Sequence, residues 1–200
     1  MRGVTRRQTL QGLAALGALA LPGRRAAARQ PEPLAVDLVR FAWGTDVGSP
    51  TPFQVSTAGP AGAVLLSLVY DTLTWKDGEG IIPWLATEWE ASDDGLAYTF
   101  RLVDGAAWHD GQPLTAADVA FSFDYYAQHP YRWLSTAIVE RVTVAAPNQV
   151  VVRLKQPYAP FLEEIAGLVP IVPAHVWSKV ADPTTYEGAD ASLGSGPYKL

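Results

Sequence analysis

The stretch Trp108-His109-Asp110-Gly111-Gln112-Pro113-Leu114-Thr115-Ala116-Ala117-Asp118-Val119 constrains this chain most, because it sets a tight turn directly against a helix start. Asp110-Gly111 is a turn dipeptide, since glycine takes the positive φ that such turns often demand. Thr115 is placed to cap the helix, its hydroxyl accepting a first-turn N–H that has no partner within the helix. Asp118, three residues on, can answer the cap and meet the positive end of the helix dipole. The helix is expected over 115–128, with Ala116, Val119, Ala120, Phe123 and Tyr126 inward and His129-Pro130 as its stop. None of this needs a catalytic group; the stretch reads as scaffold.

Around it the pattern alternates. Residues 72–102 read as short strands parted by turns at Asp77-Gly78 and Asp94-Gly95, with Tyr98, Phe100 and Leu102 inward and Thr99 and Arg101 between them. Further strands are expected at 141–144 and 150–154, joined as a hairpin through 146–149. A strand buried on both faces is expected at 36–43, a loop at 44–60, and a helix at 61–71. Short helices follow at 157–166, with Pro160 near the opening turn, and at 173–180. Residues 194–200 run from a turn into the first residues of a strand, and a strand gains nothing without partners. The sequence is therefore expected to be an N-terminal portion.

The amino terminus is a segment apart. Thr5-Arg6-Arg7-Gln8-Thr9-Leu10 is similar to a twin-arginine export motif, an apolar run covers 13–21, and Ala26-Ala27-Ala28 offers a small-residue cleavage site. That run is well short of the roughly 20 residues a bilayer span needs, so residues 1–28 are expected to be a signal removed after Ala28. A polar leader covers 29–33. Five of the 15 basic residues and no acidic one lie in the signal, which leaves 10 basic against 20 acidic residues, a net charge of −10. Such a chain repels nucleic acid and anionic headgroups. There is no cysteine, so disulfides, thiol chemistry and a lipid-modified N-terminal cysteine are all excluded from these residues. The expected product is soluble, monomeric and extracytoplasmic.

Catalytic signatures are missing. His109 precedes a turn, His129 a proline, and His175 follows Pro173; none stands at metal-pair spacing. There is no G-x-S-x-G elbow, Walker loop or dinucleotide fingerprint, and Gly194-Ser195-Gly196 lacks the strand–turn–helix context of an elbow. No cofactor is implied. Glu163-Glu164 and Asp93-Asp94 are neighbours whose side chains point apart. Of the seven tryptophans, Trp75, Trp84, Trp89 and Trp108 recur with the strand and turn pattern and are expected in packing.

Five blocks in order carry a resemblance. They are Val69-Tyr70-Asp71-Thr72-Leu73 with Asp77 to Ala86, Trp89 to Leu102, Trp108 to Val119, Tyr158-Ala159-Pro160-Phe161, and Gly194-Ser195-Gly196-Pro197-Tyr198-Lys199-Leu200. The series resembles the family 5 extracellular solute-binding proteins, the peptide and nickel receptors of ABC importers. The resemblance implies an α/β, type II periplasmic-binding-protein-like fold of two lobes. It places a first segment of lobe I at 34–68, an inserted subdomain at 69–193, and a return to lobe I at 194–200. It also implies a small-molecule or peptide ligand, permease subunits as partners, and binding by lobe closure instead of catalysis. Oligopeptides or dipeptides are favoured; nickel chelates, oligosaccharides and opines remain open, and an extracytoplasmic hydrolase is the competing class. Tyr131, Arg132 and Trp133 are the first ligand candidates, an aromatic–cation–aromatic triplet after a helix-stopping proline. Gly44, Thr45 and Asp46, just past the first expected strand, are the next.

Overall fold

Helix α1 (Pro60–Val69) opens the described part of the chain, with proline at the first helical position, where its missing N–H is no loss. The computed structural model describes residues 48–55, 60–130 and 135–200, together with Ala42 and Gly44. All belong to the second of two compact units, Ala42–Leu200. The expected signal, the leader and, apart from exposed Ala42, the strand at 36–43 lie outside the described residues.

Helix α1 stops two residues earlier than its apolar spacing suggests. The last carbonyls of a helix have no partner within it. Here the Leu68 and Val69 carbonyls accept the N–H groups of Tyr198 at 2.9 Å and Gly196 at 2.8 Å. This changes the reading of the final residues: 194–200 form no strand but return as irregular backbone laid against the end of α1.

Strands β1 (Thr74–Lys76) and β2 (Ile81–Pro83) form a small hairpin. The Asp77 carboxylate accepts the Glu79 and Gly80 N–H groups in its turn, and Gly80, not Gly78, takes the positive φ. The main sheet is antiparallel in the order β3-β4-β6-β5, from β3 (Ala86–Ala91), β4 (Ala97–Leu102), β5 (Val139–Ala146) and β6 (Gln149–Leu154). Tyr98, Phe100 and Leu102 are buried as their alternation requires, and Val150, Val152 and Leu154 extend the same apolar face on β6. Helix α2 (Ala116–Gln128) covers that side of the sheet. The Phe161 ring lies 4.5 Å from Tyr98 and 6.2 Å from Phe100.

Thr115 and Asp118 close the expected capping box. The carboxylate accepts the Thr115 N–H at 2.9 Å and its hydroxyl at 3.1 Å, so the hydroxyl also donates. Asp118 is itself buried, and its other oxygen accepts the Ala174 N–H at 3.2 Å. One turn on, buried Ser122 donates back to the Asp118 carbonyl at 2.7 Å, with the Val172 carbonyl at 3.2 Å, and accepts the Val172 N–H at 2.9 Å. The helix thus buries a polar edge as well as its apolar stripe, and Ala120 is only half-buried.

The two short helices are shorter than expected, α3 (Phe161–Glu164) and α4 (Ala174–Trp177). After α3 the chain turns so that the Ala166 carbonyl accepts the N–H groups of Leu73 and Thr74, which ends the helix by committing its backbone to β1. Of the four tryptophans expected in packing, Trp108 is buried and Trp75 and Trp89 are half-buried. Trp84 is a correction: it is 41% exposed, its Nε1–H donating to Asp71 at 2.8 Å and its ring 5.7 Å from Trp75.

At the return of the chain, a Cβ on Gly194 would lie 1.8 Å from the Val69 carbonyl oxygen. Gly194→Ala is expected to destabilise the protein by about 3 kcal/mol, the upper end of ordinary overpacking. Gly78→Ala, with nothing within 4 Å, is expected to change it by no more than about 0.5 kcal/mol. Urea unfolding of the two variants checks the contrast.

Candidate functional site

A cluster of rings ties three separate segments together. Thr51 caps a turn whose backbone N–H groups at Gln54 and Val55 point to its carbonyl, and this turn holds Phe53 inward. The Phe53 ring lies 5.4 Å from Tyr125, 5.4 Å from Tyr126 and 4.9 Å from Trp177. Trp177 in turn meets Tyr186 edge-on at 5.6 Å. Next to Phe53, Gln54 Nε2 donates to the carbonyls of Tyr186 at 2.7 Å and Pro183 at 3.3 Å. Aromatic pairs at these separations contribute about 0.5–1.5 kcal/mol each beyond their burial, which helps hold the three segments together.

The last turn of α2 belongs to the same cluster. Tyr125 stacks on Phe121 at 5.3 Å and meets the tilted His129 ring at 4.4 Å, and its hydroxyl donates to the Val180 carbonyl at 2.9 Å. Burial, reinforced by the negative charge of Asp182, pushes the Tyr125 phenol up to about 12. Tyr126 reaches past it to donate to the Pro170 carbonyl at 3.0 Å.

The sequence-derived ligand candidates flank this junction along the chain. Gly44, Thr45 and Asp46 precede Phe53 by nine, eight and seven residues, while Tyr131, Arg132 and Trp133 follow His129 almost at once. Gly44 is exposed, with open space where a side chain would sit. Thr45, Asp46, Tyr131, Arg132 and Trp133 lie outside the described residues. What the structure brings together are their neighbours in sequence: Phe53 on one side and Tyr125 and Tyr126 on the other, with His129 against Tyr125. Sequence reading overlooked Phe53, Gln54 and Trp177. The signal was there in Phe53, an aromatic residue between Pro52 and Gln54 in a stretch otherwise of loop composition.

A polar cleft of about 630 Å3 adjoins the junction through Tyr186, lined also by His109, Asp110, His175, Lys179, Asp190 and Lys199. Its polar groups largely bond one another. His175 Nε2–H donates to Asp110 at 3.0 Å, the Tyr186 hydroxyl to Asp190 at 2.6 Å, and Lys199 to the His109 carbonyl at 2.9 Å. The Gln112 N–H foremost, aided by His175, holds the Asp110 carboxyl below its ordinary range. Among the described residues, no group of three or more His, Asp or Glu side chains is placed to hold a metal ion. A smaller pocket of about 320 Å3 lies between Asp71, Trp84, Leu85, Val103 and Ser195. Burial raises the Asp71 carboxyl, opposed by the Trp84 indole and by the Ser195 hydroxyl, which sits beside it short of full hydrogen-bond geometry.

Comparison with known proteins agrees with this architecture. The family model described as "Bacterial extracellular solute-binding proteins, family 5 Middle" matches residues 80–200. The nickel-binding periplasmic protein of Escherichia coli K12 is 32% identical over 174 residues, covering 83% of this chain and 32% of that protein. The dipeptide-binding protein of the same organism is 33% identical over 179 residues, covering 76% of this chain and 34% of that protein. Among solved structures, AppA, the oligopeptide-binding protein from Bacillus subtilis in complex with a nonapeptide, superposes with a TM-score of 0.67 at 26% identity over 77% of this chain and 32% of its own. NikA from Brucella suis in complex with Fe(III)-EDTA gives 0.66 at 31% identity over 80% of this chain and 32% of its own. The chain therefore spans about one third of the length of the relatives it matches.

The environment of Tyr125 sets a testable alkaline behaviour. A phenol whose folded pKa is raised keeps its proton longer when folded, so its stabilising contribution is complete below pH 10 and is lost as pH climbs from 10 to about 12. Ultraviolet titration is expected to show a late phenolate step near pH 12 that is absent in Tyr125→Phe.

Proposed function

Because the chain belongs to the bacterial extracellular solute-binding proteins of family 5, we propose that it is the first part of a secreted receptor of an ABC importer. The receptor captures an oligopeptide or dipeptide between two lobes and delivers it to membrane permease subunits. The observation that carries this reading is the match over 80–200 together with relatives named as dipeptide-binding and nickel-binding proteins. The task is binding, not turnover. Closure of two lobes on a solute excludes water and presents a surface that the open form lacks.

The geometry supports the domain division at 69 and 194. A domain inserted into another must leave and return at adjacent points. Here Gly196 N–H bonds the Val69 carbonyl, and Gly194 packs directly on the same peptide. We assign residues 34–68 and 194–200 to lobe I and 69–193 to the insertion. On this division Phe53 belongs to lobe I while Tyr125, Tyr126 and Trp177 belong to the insertion, so the ring cluster joins the two. Binding residues concentrate on loops that adjoin a packed scaffold. That supports Tyr131, Arg132, Trp133, Gly44, Thr45 and Asp46 as the ligand-facing set. Among the described residues no helix is long and apolar enough to cross a membrane. Export through the twin-arginine machinery by the signal at 1–28, to the periplasm or its equivalent, completes the proposal.

A second reading has its own observation. The nickel-binding relative covers the larger share of this chain, and NikZ from Campylobacter jejuni, solved with Ni(L-His), superposes at a TM-score of 0.62 and 26% identity. A nickel chelate is therefore the alternative cargo. One thermal-shift screen of the complete protein against di- and oligopeptides, nickel with histidine, oligosaccharides and opines decides. A ligand at 100 times its Kd stabilises by about 2.7 kcal/mol, a shift of several degrees. Stabilisation by peptides alone supports the first reading, and stabilisation by nickel with histidine alone overturns it for the second. With the stabilising ligand in hand, Trp133→Ala is expected to weaken binding at least tenfold, a loss of about 1.4 kcal/mol, while leaving the melting temperature of the empty protein unchanged. A drop of many degrees in the empty protein would instead make Trp133 a core residue.

A further inference from the structure

Among the described residues His109 bonds the returning segment through both its backbone and its ring, and neither the fold nor ligand capture as described gives the ring a task. Its backbone N–H donates to the Gly194 carbonyl at 2.9 Å. Its ring Nε2–H donates to the Gly196 carbonyl at 2.8 Å, the only role open to it against a carbonyl oxygen. Its own carbonyl accepts from Lys199 Nζ at 2.9 Å. Three bonds from one residue therefore reach three points along 194–199. On the opposite side the same segment is bonded to Leu68 and Val69, and Ser195 lies against Asp71.

The position of His109 is itself fixed. Buried Trp108 holds the residue before it, and the turn beyond it is closed by the Gln112 carbonyl accepting the Trp108 N–H at 2.8 Å, with Gly111 at a φ of +87°. The ring is thus carried on a rigid part of the insertion and reaches across to the segment that leaves it. The glycines on the receiving side leave no slack: a Cβ at Gly196 would lie 2.7 Å from the Val69 carbonyl carbon.

We infer that His109 is a positioning residue that clamps the returning segment against the end of α1, so that the insertion and the first segment of lobe I move as one rigid half when the receptor closes. The inference rests on the reading of 69 and 194 as the two crossings of an insertion. The ring cluster around Phe53 is the other attachment, at a separate place in the sequence. Two attachments fix an angle that one leaves free to pivot. With the Nε2–H bond gone, the protein stays folded, joined at Phe53 and through the His109 backbone bonds to Gly194 and Lys199, but the returning segment loses its side-chain hold and the attachment loosens.

The test uses reach as the variable. Asn and Gln both carry an amide donor, but only the Gln side chain is long enough to approach the place of the His Nε2–H. The sequence has no cysteine, so Ala63→Cys on α1 and Thr143→Cys on β5, both exposed, serve as dye sites in the complete protein. Single-molecule energy transfer without ligand is expected to give one narrow population for the parent, a broader or second population for His109→Asn and His109→Ala, and the parent population again for His109→Gln. Amide exchange at Gly196 and Tyr198 is expected to accelerate about tenfold in the Asn variant, the loss of one hydrogen bond, and to recover in the Gln variant. Unchanged populations in the Asn variant, or equal changes in Asn and Gln, overturn the clamp. So does failure of both to fold, which would make the ring a packing element. No ligand enters this measurement, so its failure leaves the capture reading standing, and a blank thermal-shift screen leaves the clamp standing.

Discussion

The bonds between the end of α1 and the returning chain are the constraint on which the remainder depends. A helix that ends without partners for its last carbonyls exposes them to water or must find donors elsewhere. This one finds them in Gly196 and Tyr198, well over a hundred residues on. The contact is possible only because positions 194 and 196 have no side chain, and any other residue would collide with the Val69 peptide. Everything between, from Tyr70 to Leu193, is consequently held as a loop closed at its base. That closure keeps the sheet it carries registered to the helix it left, and both share one hydrophobic core, with Leu66 and Val69 of α1 among its buried residues.

Within that loop the most consequential side chain is a buried carboxylate. Burying Asp118 without partners would cost several kcal/mol, and its full set of bonds offsets the penalty. It caps its own helix through Thr115 and holds the start of α4 through Ala174. Ser122 repeats the arrangement one turn on with Val172. These bonds bring 172–177 alongside α2 in register, which places Trp177 against Phe53 and Tyr125. A local capping motif thereby becomes a long-range one, and the ring junction next to the proposed ligand residues in the chain depends on it.

Much of this was legible from the residues. The turn at Asp110-Gly111, the cap at Thr115, the alternation on β4 and the hairpin of β5 and β6 are local decisions, set by φ preference, capping chemistry and period-two burial. What escaped was set by distant partners. Asp118 and Ser122 are polar residues on a helix, and nothing near them in sequence says that 172–174 will meet them. Residues 194–200 carry strand-like composition, and only the carbonyls of α1 reveal why the backbone there bonds a helix end. Trp84 follows the spacing of core tryptophans yet stays exposed, because its indole N–H is committed to Asp71. Of the candidate site, aromatic and glycine composition singled out the proposed ligand residues, whereas the ring cluster next to them in the chain turns on Phe53, a single ring in a polar loop, whose partners lie far away in sequence.

The same contrast bears on how a receptor of this kind moves. Closure on a solute requires one place that bends and two bodies that do not, since a ligand's binding energy is wasted if it first has to straighten its own half-site. The ring junction at Phe53 and the helix-end contact at Gly196 tie Phe53 and the end of α1 to segments far along the chain, at two separate places. Bodies joined at two points cannot pivot about either. On the proposed reading, the half that contains both contacts keeps its shape while the receptor closes, and the bend lies elsewhere.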